Sequence, residues 1–97
     1  MNLDKAALSL ESLGNPTRLS VYQTLVRAGP DGLAVGQLQA RLGIPASTLS
    51  HHIAHLMRNN LVSQQREGRV LRCTANYAAM NALLDFLTRE CCQESGC

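Results

Sequence analysis

Aromatic side chains are scarce in this 97-residue chain: one phenylalanine, two tyrosines and no tryptophan. A core assembled without them must be mostly leucine, valine and alanine. At 45% hydrophobic residues, the chain can bury one modest globular core. No apolar run approaches the roughly 20 residues that a membrane-spanning helix requires. The opening "MNLDKAALSL" lacks the basic start, apolar stretch and cleavage site of a secretory signal. These absences lead to the expectation of a cytoplasmic protein with no membrane partner. Repeats, low-complexity tracts and linkers are missing as well, so residues 1–97 read as a single domain.

What is present is unevenly placed. The net charge is only +2, yet Arg58, Arg66, Arg69 and Arg72 stand between Pro45 and Ala75 against one acid, Glu67. A basic middle in a nearly neutral chain points towards a polyanion. Three of the four cysteines, Cys91, Cys92 and Cys97, fall in the closing stretch "RECCQESGC" at 89–97. In a reducing compartment, clustered thiols more often signal metal or redox chemistry than structural bridges.

Punctuation at "LGNP" (13–16), "AGPDG" (28–32), "LGIP" (42–45) and "REGR" (66–69) separates segments of readable period. Leu3, Ala7, Leu10 and Leu13 recur at helical spacing and predict a first amphipathic helix. Asn15 followed by Pro16 is a helix start, because Asn can cap and Pro loses no needed N–H. That second helix continues through Leu19, Tyr22, Leu25 and Val26 until Gly29-Pro30. A short third helix runs from about Ala34 to Arg41, with Val35, Leu38 and Leu42 inward, and a fourth from about Pro45 to Asn59. "LVSQQREGRVLRCTA" then reads as two strands about a Glu-Gly turn. A last helix begins near Asn76, with Met80, Leu83, Leu84, Leu87 and Cys91 on one face. The fold class is mainly α with a β-hairpin, in the order ααααββα. Helix, glycine turn, helix and hairpin together form a winged helix-turn-helix.

At about 100° per residue, positions 46–58 divide into two faces. Leu49, Ile53 and Leu56 share one side, with Met57 and His52 at its margins. Ser47, Thr48, His51, His55 and Arg58 share the other, with Ser50 at its edge. Short hydrogen-bonding side chains, with few of the usual Glu and Lys, suit a helix pressed into a major groove. His51 and His55 also invite a zinc reading, but two ligands do not close a site. At the hairpin tip, Arg66 and Arg69 are suited to phosphate or minor-groove contact, with Arg72 further down able to assist.

The stretches "LGNPTRLSVYQTL" and "LQARLGIPASTLSHHIAHLMRNNLVSQQREGRVLRCTAN" resemble the ArsR/SmtB family of bacterial metal-responsive repressors over essentially the whole chain. The resemblance implies a winged helix-turn-helix homodimer, packed through its first and last helices. It further implies binding to double-stranded operator DNA without effector and release with it. Ser47, Thr48, Ser50 and His51 stand where the family places its recognition residues. Two familiar effector sites are absent. The founding arsenic sensors carry thiols in the third helix, where this chain has "AVGQL" (34–38). The zinc sensors use a last-helix histidine, and residues 76–97 contain none. The tail instead resembles a branch of arsenic sensors with a vicinal cysteine pair ending the last helix and a third cysteine beyond.

Thiolates select soft ions, and three of them without a histidine match the pyramidal centre preferred by As(III) or Sb(III), whereas zinc seeks a fourth ligand. The expected effector site is therefore Cys91, Cys92 and Cys97, with As(III) first and Sb(III) second, and no organic cofactor. Cd(II), Pb(II) or Hg(II) on the same thiols is an alternative, as is a disulfide or persulfide redox switch. Cys73, in the second hairpin strand, reads as a small buried residue. An oxidoreductase or arsenate reductase would need Cys-X-X-Cys spacing or a phosphate-cradling loop; neither is present, and the chain is not expected to be an enzyme.

Overall fold

The computed structural model describes residues 1–95. Its elements are α1 (Leu3–Leu13), α2 (Pro16–Ala28), β1 (Leu33–Ala34), α3 (Val35–Leu42), α4 (Ala46–Arg58), β2 (Val62–Glu67), β3 (Val70–Ala75) and α5 (Tyr77–Thr88). Three of the five helices open on an asparagine whose side chain takes up an orphan N–H of the first turn. Asn2 accepts from the Lys5 amide at 2.9 Å, Asn15 from Arg18 at 3.0 Å and Asn76 from Ala79 at 3.1 Å. Pro16 occupies the first turn of α2, as its sequence predicts. In α3 the Gln37 side chain reaches back to the Ala34 amide at 2.9 Å.

One core joins these pieces. Val21, Leu25, Leu38, Leu49, Leu56, Leu61 and Cys73 are fully buried, and Tyr22, Leu33, Ile53, Val62 and Ala75 complete the cluster. The winged helix-turn-helix is confirmed, with one element the sequence did not reveal. β1 pairs antiparallel with β3, Leu33 opposite Cys73, giving a three-stranded sheet in the order β1-β3-β2. Two residues are too short to show a period, and β1 exists only because β3 offers it an edge.

Three further expectations change. The hairpin turn is Gly68-Arg69, one residue later than a Glu-Gly turn, because Glu67 pairs with Val70. Gly68 has φ +63°, the left-handed conformation that glycine adopts without steric cost at the first position of a tight hairpin turn. In α1 the buried face is Ala6, Ser9 and Ser12, while Leu3, Ala7 and Leu10 face out. Small side chains bring α1 close to its neighbours and leave the leucines for another surface. Finally, α5 ends at Thr88, so Cys91 does not continue its apolar stripe. Glu90 and Cys92 have φ of 62° and 59°, values that no α-helix contains.

Candidate nucleic-acid interface and tail cysteines

α4 is amphipathic, and its inner face sets the direction of its outer one. Leu49, Ile53 and Leu56 are locked in the core, which turns Ser47, Thr48, Ser50 and His51 to solvent on one surface. Pro45 precedes the helix and supplies no side-chain hydrogen bond to it. The first-turn amides are left to water or to an anion such as a phosphate. Arg58 stands exposed in the last turn.

The other histidines face inward. His52 is buried beside Arg18, whose Nη1 lies 3.5 Å from its Nδ1. Its packing against the core edge agrees with its place on the helical wheel. Helical period places His55 on the outer face, but the structure turns it towards α1, where its Nδ1 sits 2.9 Å from Ser12 Oγ. At three residues from His52 and four from His51, position 55 lies on the boundary between the faces, and the buried Ser12 hydroxyl captures it. Burial, followed by Arg18, holds both imidazoles below their usual pKa. No group of three or more His, Cys, Asp or Glu side chains able to hold a metal occurs among the described residues.

The wing separates its arginines. Arg66 is exposed near the end of β2 and Arg69 in the turn itself. Arg72 is not comparable to them. Its Nε donates to Glu67 Oε1 at 2.8 Å and its Nη1 to the Asp31 carbonyl at 3.3 Å, so it braces the sheet towards the loop before β1. The hydrogen bond and charge of Glu67 push its pKa up.

Beyond α5 the chain winds through successive tight turns. The amides of Cys91, Gln93 and Ser95 donate to the carbonyls of Thr88, Glu90 and Cys92 at 3.0, 3.0 and 3.1 Å. Cys91 is a free, exposed thiol, and its sulfur lies 3.6 Å from that of Cys92. Cys97, the expected third sulfur, lies outside the described residues. Cys73 is fully buried behind the wing, where Gln64 Nε2 donates to its sulfur at 3.4 Å and burial pushes its pKa up. It is too enclosed to join the tail.

Arg18 is the residue that sequence reasoning missed. Its Nε donates to the Ser12 carbonyl, and the side chain is buried at the corner between α1 and α2. The signal was its register: Arg18, Val21, Tyr22 and Leu25 fall at helical spacing on the buried face of α2.

The family model for a helix-turn-helix domain matches residues 13–65. The transcriptional activator HlyU of Vibrio cholerae is 33% identical over 92 residues, spanning 95% of this chain and 82% of HlyU. The structure of reduced HlyU superposes with a TM-score of 0.72 at 31% identity, covering 92% of this chain and 90% of that one. The transcriptional repressor BigR of Xylella fastidiosa gives 0.71 at 27% identity, over 92% and 88% of the two chains. The homodimeric winged helix-turn-helix DNA-binding domain Mb0332 of Mycobacterium bovis, described as a possible ArsR-family regulator, gives 0.70 at 25% identity, over 92% and 82%. No helix among the described residues is long and apolar enough to cross a membrane. A match through α2 to β2, carried into the wing by these superpositions, makes the chain a member of the helix-turn-helix family of transcription regulators, in its winged ArsR/SmtB form.

Proposed function

We propose that this protein is a metalloid-responsive transcriptional repressor, which binds operator DNA as a homodimer and releases it when As(III) or Sb(III) is held by Cys91, Cys92 and Cys97. The observation that carries the reading is the sulfur pair at 3.6 Å just past α5. A disulfide bond is about 2.0 Å long, so these two sulfurs are not bonded to each other. Cys92 is itself disulfide-bonded, and in this reading the ion is taken up by the reduced form. Once Cys92 is reduced, two thiolates sharing one ion at about 2.3 Å would lie about 3.3–3.8 Å apart, a span that the 3.6 Å separation already matches. Cys97 is the third donor in this reading. Ser47, Thr48, Ser50 and His51 read the major groove, and Arg66 and Arg69 hold phosphates.

The site lies beside a second surface. Leu84 and Leu87 on α5 are each 53% exposed, and Leu3 on α1 is 72% exposed. Apolar side chains left out of the chain's own core are the surface expected of the dimer seam. An ion that reorganises the turns after Thr88 acts next to that seam. It thereby alters the separation of two recognition helices that must span about 34 Å to enter successive grooves. A coupling of about 1–3 kcal/mol weakens the DNA complex some 5- to 150-fold, and DNA must weaken metalloid binding equally.

A redox-responsive repressor is the second reading. It is favoured by the same sulfur proximity and by a relative whose structure is described as reduced. Titration of the DNA complex with arsenite under reducing conditions, against peroxide or polysulfide, separates the two. Cys91→Ser and Cys92→Ser should keep DNA binding and lose release by arsenite. Release retained in both variants, or an arsenic-treated protein without sulfur neighbours by X-ray absorption, sinks the metalloid reading.

A further inference from the structure

α4 is seated by two kinds of contact. Leu49, Ile53 and Leu56 give it a buried apolar face, which fixes depth but little direction. Direction comes from a polar joint. Arg18 Nε donates to the Ser12 carbonyl, its Nη1 lies 3.5 Å from His52 Nδ1, and His55 Nδ1 lies 2.9 Å from Ser12 Oγ. The last turn of α1, the first turn of α2 and the middle of α4 therefore meet at four side chains. Ser12, Arg18 and His52 are buried there.

A guanidinium has only donors, so the ring nitrogen facing it must be the acceptor. His52 can make this contact only as the neutral imidazole with its proton on Nε2. Protonation of Nδ1 would replace an acceptor with a donor and set two cations against each other in a buried corner. We infer that the Arg18–His52 contact is a proton-sensitive positioning joint, which holds α4 in its DNA-reading attitude while His52 is neutral and lets it go when His52 takes up a proton. The inference rests on α4 being the reading helix.

The surroundings offer little relief. α1 contributes Glu11, whose charge reaches His55; α2 contributes Arg18; α4 itself contributes His51, His55 and Arg58. Burial, then Arg18, then the neighbouring histidines hold His52 below the usual imidazole range. The folded chain thus binds this proton less readily than the unfolded chain. The stability the joint contributes is complete above the ordinary histidine pKa of about 6.5 and is lost as pH falls from there through the lower value in the folded chain.

The test uses a duplex selected in vitro with the wild-type protein at about pH 8, and affinities measured there and at about pH 5.5. Wild type should lose about 3- to 10-fold in affinity on acidification, the most that one histidine titrating below about 6.5 can supply by pH 5.5. His52→Asn places an amide oxygen near the Nδ1 position, keeps the acceptor and cannot titrate. It should bind like wild type in base and change less than about twofold in acid. Equal acid losses in the two proteins, or none in wild type, overturn the inference. NMR titration of the imidazoles without DNA gives an independent readout. His52 should titrate below its ordinary value in wild type and move up in Arg18→Gln, which retains a donor without the charge. A normal or raised wild-type value also overturns the joint. If no duplex is selected at all, the reading of α4 fails, and the NMR result alone decides the joint.

Discussion

A methyl group added to Gly32 would stand 2.0 Å from the backbone oxygen of Cys73. The obstruction is backbone, not a side chain that can swing aside, and Gly32 has φ +66° besides. β1 can reach β3 only because this position has no Cβ. Gly32→Ala should therefore cost at least about 2–4 kcal/mol in denaturant unfolding, a sum of strain and lost pairing. An unchanged unfolding midpoint would show that β1 does not help to hold the wing.

The cysteines should separate by reactivity. Thiolates, not thiols, attack alkylating agents. Cys73 is buried, and burial pushes its thiol pKa up, so the reactive form is scarce below that raised value and out of reach. Cys91 is exposed. With iodoacetamide under reducing, native conditions at about pH 8, mass spectrometry should find Cys91 modified and Cys73 untouched until denaturant is added. Arsenite added first should protect Cys91 if the tail sulfurs bind it. Modification of Cys73 in the native chain would contradict its place in the core.

Much of this architecture is legible in the sequence where a local signal and the tertiary structure agree. Asn15-Pro16 caps a helix wherever it lies, and Leu49, Ile53 and Leu56 mark the inner face of α4 by period alone. The failures share a cause: the deciding partner is distant in sequence. β1 needs β3, His55 needs Ser12 across 43 positions, and Arg18 needs the Ser12 carbonyl and His52 to be tolerated in a buried corner. The leucines of α1 mislead for a different reason. Their period is a true one, but it describes a surface left exposed, whereas Ala6, Ser9 and Ser12 make the inner contact. The tail pair was visible as a motif, while the end of α5 at Thr88 before it was not, because no glycine or proline marks the stop.

The exposed leucines give a prediction about assembly. Leu84 and Leu87 lie on α5 outside the core, and a carboxylate placed there costs the monomer little. In a dimer seam, two such charges meet their symmetry mates and must be desolvated. Leu84→Asp with Leu87→Asp should leave the circular dichroism spectrum unchanged and raise the dimer dissociation constant at least about 100-fold, by sedimentation. Equal sedimentation of variant and wild type would move the seam elsewhere.

The wing arginines differ in what they are free to do, and salt dependence reads that difference. Each phosphate neutralised contributes about 0.9 to the slope of log affinity against log salt. Arg66 and Arg69 are exposed at the tip, whereas Arg72 already donates to Glu67 and to the Asp31 carbonyl. Arg66→Ala and Arg69→Ala should each weaken binding to all duplexes alike and flatten the slope by about 1. Arg72→Ala should change the slope by well under half of that. What it removes is a solvent-exposed brace, so its effect should appear as a small loss in thermal unfolding. A contact to a base edge behaves differently: Ser50→Ala or His51→Ala should relax sequence preference at one position and leave the slope nearly unchanged. If Arg72→Ala flattened the slope as much as Arg69→Ala, the Glu67 pair would have to open on DNA. The wing would then be a rearranging element, not a preformed one.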